Sequence, residues 1–245
     1  MLNIKKKIFK NLSNSLVGTI LLIGTYFFFS IMELTAKELG ENFNPFQVVF
    51  ARYSSQLILL VFLFNQNSLK HLKSEFPLIQ VLRGALLLIT TCLMFTGLAN
   101  LPFAENIAIY MIGPVITTIL AWYILKEKIS ILQIIIVLIG LTGAIIIASP
   151  SQNEYNYAVI FPFLAALCFA FFTISTKFLN SSDSNQTTLL FTALTGTLLS
   201  LPFIYFFWNP PTFFHLFLMF SLGVLATIGH LLFIEALKVI KASFA

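Results

Sequence analysis

Apolar residues in this chain run in long blocks, and polar residues collect in short gaps between them. A helix that crosses the hydrocarbon of a bilayer needs about 20 mostly apolar residues. Eight blocks qualify, at 15–32, 46–64, 78–99, 103–125, 131–148, 157–178, 188–207 and 213–234. The gaps hold Pro45, Pro77, Pro102, Pro150 and the pair Pro210–Pro211, residues that interrupt helices. The alternating segments of about ten residues that build a membrane β-barrel are missing. The pattern predicts an all-α fold, a polytopic membrane helix bundle of eight spans, with a ninth expected to begin at Ala242. Lys5, Lys6, Lys7 and Lys10 precede the first block as in a signal peptide, but no small-x-small cleavage site follows. The block is therefore read as an uncleaved span, with Glu33, Lys37 and Glu38 in the outer loop after it.

Composition removes the soluble alternative. Of 245 residues 58% are apolar and 9% charged, against about 25% charged in an ordinary soluble domain, too few to coat a surface facing water. The net charge of +5 does not point to nucleic acid, because basic residues here report orientation. With the N-terminus inside, 12 of the 14 basic residues fall on inner segments, Lys37 lies outside and Arg52 lies within a span. The expected location is a cell inner membrane, multi-pass, with a cytoplasmic N-terminus. Cys92 and Cys168 sit inside apolar blocks and suggest no disulfide framework.

The halves resemble each other. Residues 30–37 lie over 170–177, with Lys37 on Lys177 at an offset of 140. Gly84 lies on Gly223 and Leu98 on Leu237 at an offset of 139. Five spans per half is an odd number, so the halves are expected to be inverted, with a site between them near the midplane. The expected division is 15–148 for the first half and 157–245 for the second. The second is expected to be incomplete, lacking most of a ninth span and a tenth. A natural eight-span protein is the alternative.

Particular stretches carry a family resemblance. They are Leu101–Pro102–Phe103–Ala104–Glu105–Asn106, then Gly113–Pro114–Val115, then Leu125–Lys126–Glu127–Lys128, with Arg52 in the second span and Arg83–Gly84 opening the third. In these the chain resembles the drug/metabolite transporter superfamily in its EamA-type branch. The resemblance implies ten spans in two inverted five-span repeats. Members similar to this chain include S-adenosylmethionine uptake permeases of intracellular bacteria. The implied activity is secondary transport of a small organic metabolite, S-adenosylmethionine or a similar one, by alternating access. A non-transporting permease remnant and a membrane-embedded enzyme stay open as other readings.

No catalytic constellation, paired metal-ligand spacing or phosphate-binding glycine loop is present, so no catalytic residue, metal or cofactor is expected. Polar groups inside spans are costly and therefore informative. Arg52, with Ser55 and Gln56 at i+3 and i+4, gives the second span a polar face. It meets an anionic substrate group, or else forms a charge pair with Glu105 or Glu33. In the fourth span Asn106, Tyr110, Gly113, Thr117 and Ala121 form one stripe, either a cavity lining or a packing seam. Tyr26 and Ser30 align with Glu33 on the first span, and His230 lies in the eighth. The candidate substrate-binding set is thus Tyr26, Ser30, Arg52, Gln56, Asn106, Tyr110 and His230. Arg83 and Lys177 are expected to snorkel to the inner interface. Pro114 is expected to kink its helix. The expected partners are a small-molecule metabolite and the lipid bilayer. A coupling ion, an exchange substrate and a homodimer are left open.

Overall fold

A computed structural model of the chain describes residues 13–64, 72–147 and 157–244. Its helices are α1 (Asn14–Gly40), α2 (Pro45–Phe64), α3 (Pro77–Asn100), α4 (Phe103–Tyr110), α5 (Gly113–Ile124), α6 (Ile131–Ile147), α7 (Ile160–Leu179), α8 (Asn185–Phe207) and α9 (Phe213–Val239). A 3₁₀ turn, Ala242–Phe244, follows where the sequence places the start of a ninth span. Among the described residues there is no strand. Among the described residues seven helices are long and apolar enough to cross a membrane, counting α4 and α5 as one. The fifth predicted span, α6, has 17 residues, about 25 Å at 1.5 Å per residue against a hydrocarbon thickness of about 30 Å. Its predicted last residue, Ala148, lies outside the described residues. So do Lys5, Lys6, Lys7, Lys10, Lys70, His71, Pro150 and Glu154.

Two boundaries differ from the sequence reading in ways that matter. First, α1 does not end near Met32 but continues to Gly40, because Ala36 and Leu39 still find core to bury against. Glu33 and Lys37 therefore lie on the helix and not in an outer loop. Second, the fourth span is broken. Pro114 has no backbone N–H and its ring crowds the carbonyl one turn back. The helix tightens through Met111 and Ile112, with Ile112 N–H bonded to the Ile109 carbonyl at 3.2 Å, and restarts at Gly113. The break falls directly after Tyr110.

Packing is densest between elements remote in sequence: α1 with α9, α3 with α7, and α2 with both α8 and α9. Glycines set the closest approaches. A Cβ on Gly84 would lie 2.8 Å from Thr195 Cβ, and one on Gly223 would lie 2.4 Å from the Gln56 backbone nitrogen. Most hydroxyls inside the bundle are satisfied within their own helix. Thr25, Thr90, Thr173, Thr176, Thr192 and Thr227 each donate to the carbonyl four residues back at 2.7–2.9 Å.

Polar contacts at the two ends of the bundle fix which loops share a side. At one end Asp183 accepts from Ser74 Oγ, from Glu75 N–H and from Gln80 Nε2. At the other, Gln47 holds Asn209 through both backbone groups at 2.7 and 2.8 Å.

Neither Lys37, near the end of α1, nor Lys177, near the end of α7, reaches for solvent. Lys37 Nζ donates to the carbonyls of Leu98 and Leu101 at 2.7 and 3.0 Å. Lys177 Nζ donates to those of Leu237 and Ile240, both at 2.6 Å. Each lysine thus caps the carbonyl end of α3 or α9, where cations are favoured. The acceptor pairs stand in the same register as the lysines, at offsets of 139 and 140. The expectation that Lys177 snorkels is therefore corrected. Lys37→Met and Lys177→Met are each expected to cost about 2 kcal/mol, the scale of hydrogen bonds from a charged donor. The readout is the midpoint of thermal unfolding in detergent. Lys241→Met, whose lysine reaches only the exposed carbonyl of Lys128, serves as the control and should leave the midpoint unchanged.

Candidate functional site

The candidate residues converge on the space enclosed by α1, α2, α3, α4, α7 and α9. Tyr26, Ser30 and Glu33 occupy one face of α1 at i, i+4 and i+7. They line a cavity of about 440 Å³ with Phe29, Tyr110, Met111, Pro114, Gln133, Gly140 and the Ser243–Phe244 turn. Tyr110 reaches this space because the α4–α5 break frees it from the packed helix surface. Deeper in, a void of about 40 Å³ is bounded by Arg52, His230, Thr90, Thr91, Met94 and Phe169. The two spaces meet at Phe29, Glu33 and Tyr110, which line both. The outer one falls in the size range of small-molecule sites. The inner one holds little more than a water.

Arg52 is the centre of the inner space. It is 1% exposed, and its guanidinium stacks 4.0 Å over the Tyr53 ring. Nη2 lies 2.7 Å from His230 Nε2. Arginine can only donate, so Nε2 is the accepting nitrogen and the ring proton sits on Nδ1. Arg52 Nε and Nη1 and His230 Nδ1 are buried with no hydrogen-bond partner. Tyr53 is fixed in turn by Thr91 Oγ1 at 3.0 Å. The expected charge pair does not form: Arg52 is within ion-pair distance of neither Glu105 nor Glu33, and the ion pair among the described residues is Lys238–Glu235. The reason is geometric. Asn106 turns into the packing with α3, which carries Glu105 round the helix and away from α2.

A second guanidinium lies further along α3. Arg83, 1% exposed, donates to Thr192 Oγ1 at 2.9 and 2.7 Å and sits 4.8 Å from the Phe172 ring centroid. Phe172 meets His230 edge-on at 5.8 Å. Arg83 is thus a buried structural group between α3 and α8 and not a snorkelling side chain.

The remaining candidates separate. Tyr26, Ser30 and Tyr110 line the outer space, and Arg52, His230 and Tyr110 the inner one. Gln56 is fully buried one turn past Arg52, at the close approach of α2 to α9, and neither of its amide atoms has a partner. Asn106 packs on Gly97 with its Nδ2 3.9 Å from Met94 Sδ. Gly113, Thr117 and Ala121 are buried, and Gly113 faces Ala166 of α7. Apart from Tyr110 the stripe is a packing seam. Sequence reasoning left Glu33, Phe29, Phe169 and Thr90–Thr91 out of the site. For Glu33 the signal was its alignment with Tyr26 and Ser30.

A larger cavity, about 880 Å³, lies elsewhere, between α5 and α6 near Trp122, Tyr123 and Lys126–Lys128. Its lining is mainly aliphatic and aromatic, and none of the unpartnered buried polar atoms belongs to it. The Glu127 beside it is more than a charged helix end. Its carboxylate accepts from the backbone N–H groups of Ala242 and Ser243 at 2.9 and 3.1 Å and caps the final turn.

An all-helical, multi-pass bundle with a mainly apolar cavity between remote helices, carrying a few polar groups such as Ser30, Glu33 and Gln133, is the build of a membrane transporter. The profile of the EamA-like transporter family matches residues 16–149, and the chain belongs to that family. It is 29% identical over 217 residues to the S-adenosylmethionine uptake transporter of Rickettsia prowazekii (strain Madrid E), covering 87% of this chain and 73% of that protein. A riboflavin transporter of Vibrio cholerae is 30% identical over 148 residues, 58% of this chain and 48% of that one. The pseudopaline exporter CntI of Pseudomonas aeruginosa (strain PAO1) is 22% identical over 224 residues, 89% of this chain and 78% of that one. A solved structure titled only as a crystal structure of a protein shares the fold, with a TM-score of 0.70 and 14% identity over 93% of this chain and 79% of the other. The chain is a small-molecule transporter of the drug/metabolite superfamily and not an enzyme.

Proposed function

We propose that this protein carries S-adenosylmethionine or a close analogue across a bacterial inner membrane by alternating access between two inverted halves, 15–148 and 157–245, with its N-terminus in the cytoplasm. One observation carries the reading: Arg52 holds unpartnered N–H donors on a small inner void of about 40 Å³ that meets, at Phe29, Glu33 and Tyr110, a cavity of metabolite size, about 440 Å³. A carboxylate of the cargo satisfies them. The matched lysine caps on α3 and α9 support the division into halves. The similarity to the Rickettsia protein supports the cargo. Labelled S-adenosylmethionine should enter proteoliposomes of the purified chain with saturable kinetics and be displaced by unlabelled compound. Flux equal to that of protein-free liposomes would sink the reading.

Topology is testable separately. In a cysteine-free background, single cysteines at Ser181 and Lys128 should be shielded from an impermeant maleimide in intact cells. Cysteines at Asn42 and Pro210 should be labelled. Labelling of Asn42 and Ser181 from the same side would overturn the arrangement.

A further inference from the structure

We infer that Glu33 is the second pole of the binding site and takes a cationic group of the cargo, so that the site selects molecules carrying both charges. The inference rests on the transport reading and adds to it a residue and a substrate class.

Three observations carry it. Glu33 stands on α1 inside the bundle, because the helix continues through Lys37 to Gly40. It is the one carboxylate among the described residues lining either cavity, and it lines both. It forms no hydrogen bond or ion pair with any described residue. A carboxylate at membrane depth without a partner is costly and marks a functional position. Among the described residues no cation pairs with it. Lys37, one turn on, is committed to the carbonyls of Leu98 and Leu101, and Arg52 bonds His230. The missing partner therefore comes from outside, through the larger cavity that Glu33 borders.

Glu33 and Arg52 wall the same inner void, with Phe29, Phe169 and Tyr110 around it. A cargo in the larger cavity that turns its anionic group into the inner void toward Arg52 passes Glu33, which borders both spaces, so a neighbouring cationic group of the same molecule is left facing Glu33. The aromatic rings offer further favourable surface for a cation. A cargo with only one charge leaves the opposite pole unpaired in a low-dielectric space, which is how a site rejects it. The class selected is a zwitterion with an added cationic centre or an ammonium close to its carboxylate.

The test uses the full chain in detergent and three probes: S-adenosylmethionine, its decarboxylated form with cationic groups only, and uncharged 5′-methylthioadenosine. The wild type should bind the first most tightly and prefer the second to the third. Glu33→Gln should weaken binding of both cationic probes at least tenfold, leave methylthioadenosine unchanged, and so erase that preference. Glu33→Asp should restore part of it. Unchanged binding of the neutral probe doubles as proof of folding. If Glu33→Gln binds the cationic probes as tightly as wild type, the inference falls and the transport reading stands. If it binds all three normally but moves none of them, Glu33 serves ion coupling and the inference falls. Should the variant fail to fold, the wild-type series decides, since indifference between the second and third probes overturns the inference. A wild type that binds and moves none of the three overturns the reading itself.

Discussion

Arg52→Ala will abolish uptake and leave the folded protein as stable as before, or more so. The two halves of this expectation rest on different terms. On the proposed reading the cargo accepts from Nε and Nη1 of the guanidinium, which have no hydrogen-bond partner among the described residues. Two hydrogen bonds between charged groups are worth about 3–6 kcal/mol together, which is about 10²- to 10⁴-fold in affinity. For stability the balance runs the other way. A guanidinium at this depth costs about 2.5–3.5 kcal/mol on insertion scales. Its return is one bond to His230 and the stack on Tyr53, about 1.5–3 kcal/mol. Alanine removes both sides of that balance. Arg52→Lys keeps the charge and loses the planar fork, so it should retain only weak transport. The measurement pairs flux in proteoliposomes with unfolding midpoints of the same preparations. A fall in the midpoint of Arg52→Ala that matches its loss of flux would make Arg52 a structural residue.

Gly223→Ala will be the most destabilising small substitution in the bundle. Its Cβ would sit 2.3 Å from Ser55 Oγ, 2.4 Å from Gln56 N and 2.6 Å from Ser55 C. Two of these atoms are backbone, so no rotamer change relieves the clash and α2 must move away from α9. Overpacking of this kind costs about 1–3 kcal/mol or more, and here the upper end applies. The same shift displaces Arg52, one turn away on α2, so transport should fall with stability. Gly84→Ala meets only the Thr195 side chain, at 2.8 Å, and should be milder. Gly140→Ala and Gly143→Ala meet nothing within 4 Å and should be neutral or gain up to about 1 kcal/mol from helix propensity. Equal midpoints for the Gly223 and Gly140 variants would refute the argument.

The helices were legible because their signal is the length of an apolar run, which survives any packing arrangement. The matched register of Lys37 and Lys177 was legible, although what those lysines do was not. A sequence places a lysine at a helix end but does not say whether a neighbour's carbonyls or water will receive it. Glu33 was misplaced for a related reason. A charged residue after an apolar run reads as a loop, yet Ala36 and Leu39 carry α1 onward because α3 and α9 offer them a surface. Arg52 and His230 were each picked out as costly intramembrane groups. Their 2.7 Å contact was not visible, since 178 residues separate them and no periodicity links α2 to α9. Asn106 failed as a cavity residue because a polar side chain against a glycine looks the same in sequence as one that lines a pore. The break after Tyr110 was legible from Pro114, but its result, a tyrosine freed to face the cavity, depends on where the preceding turn tightens.

The hydroxyls bonded to their own helices have a mechanical consequence. Thr25, Thr90, Thr173, Thr176 and Thr227 keep their acceptors whichever helix lies beside them. Sliding one helix along another across these surfaces breaks no hydrogen bond and strands no donor in lipid. Friction in the bundle is then concentrated at the side-chain cross-links between helices, among them Arg52–His230, Tyr53–Thr91, Arg83–Thr192, the Lys37 and Lys177 caps and the Asp183 and Gln47 clusters. The rest of the interior behaves as a lubricated bearing whose positions are set by those few catches.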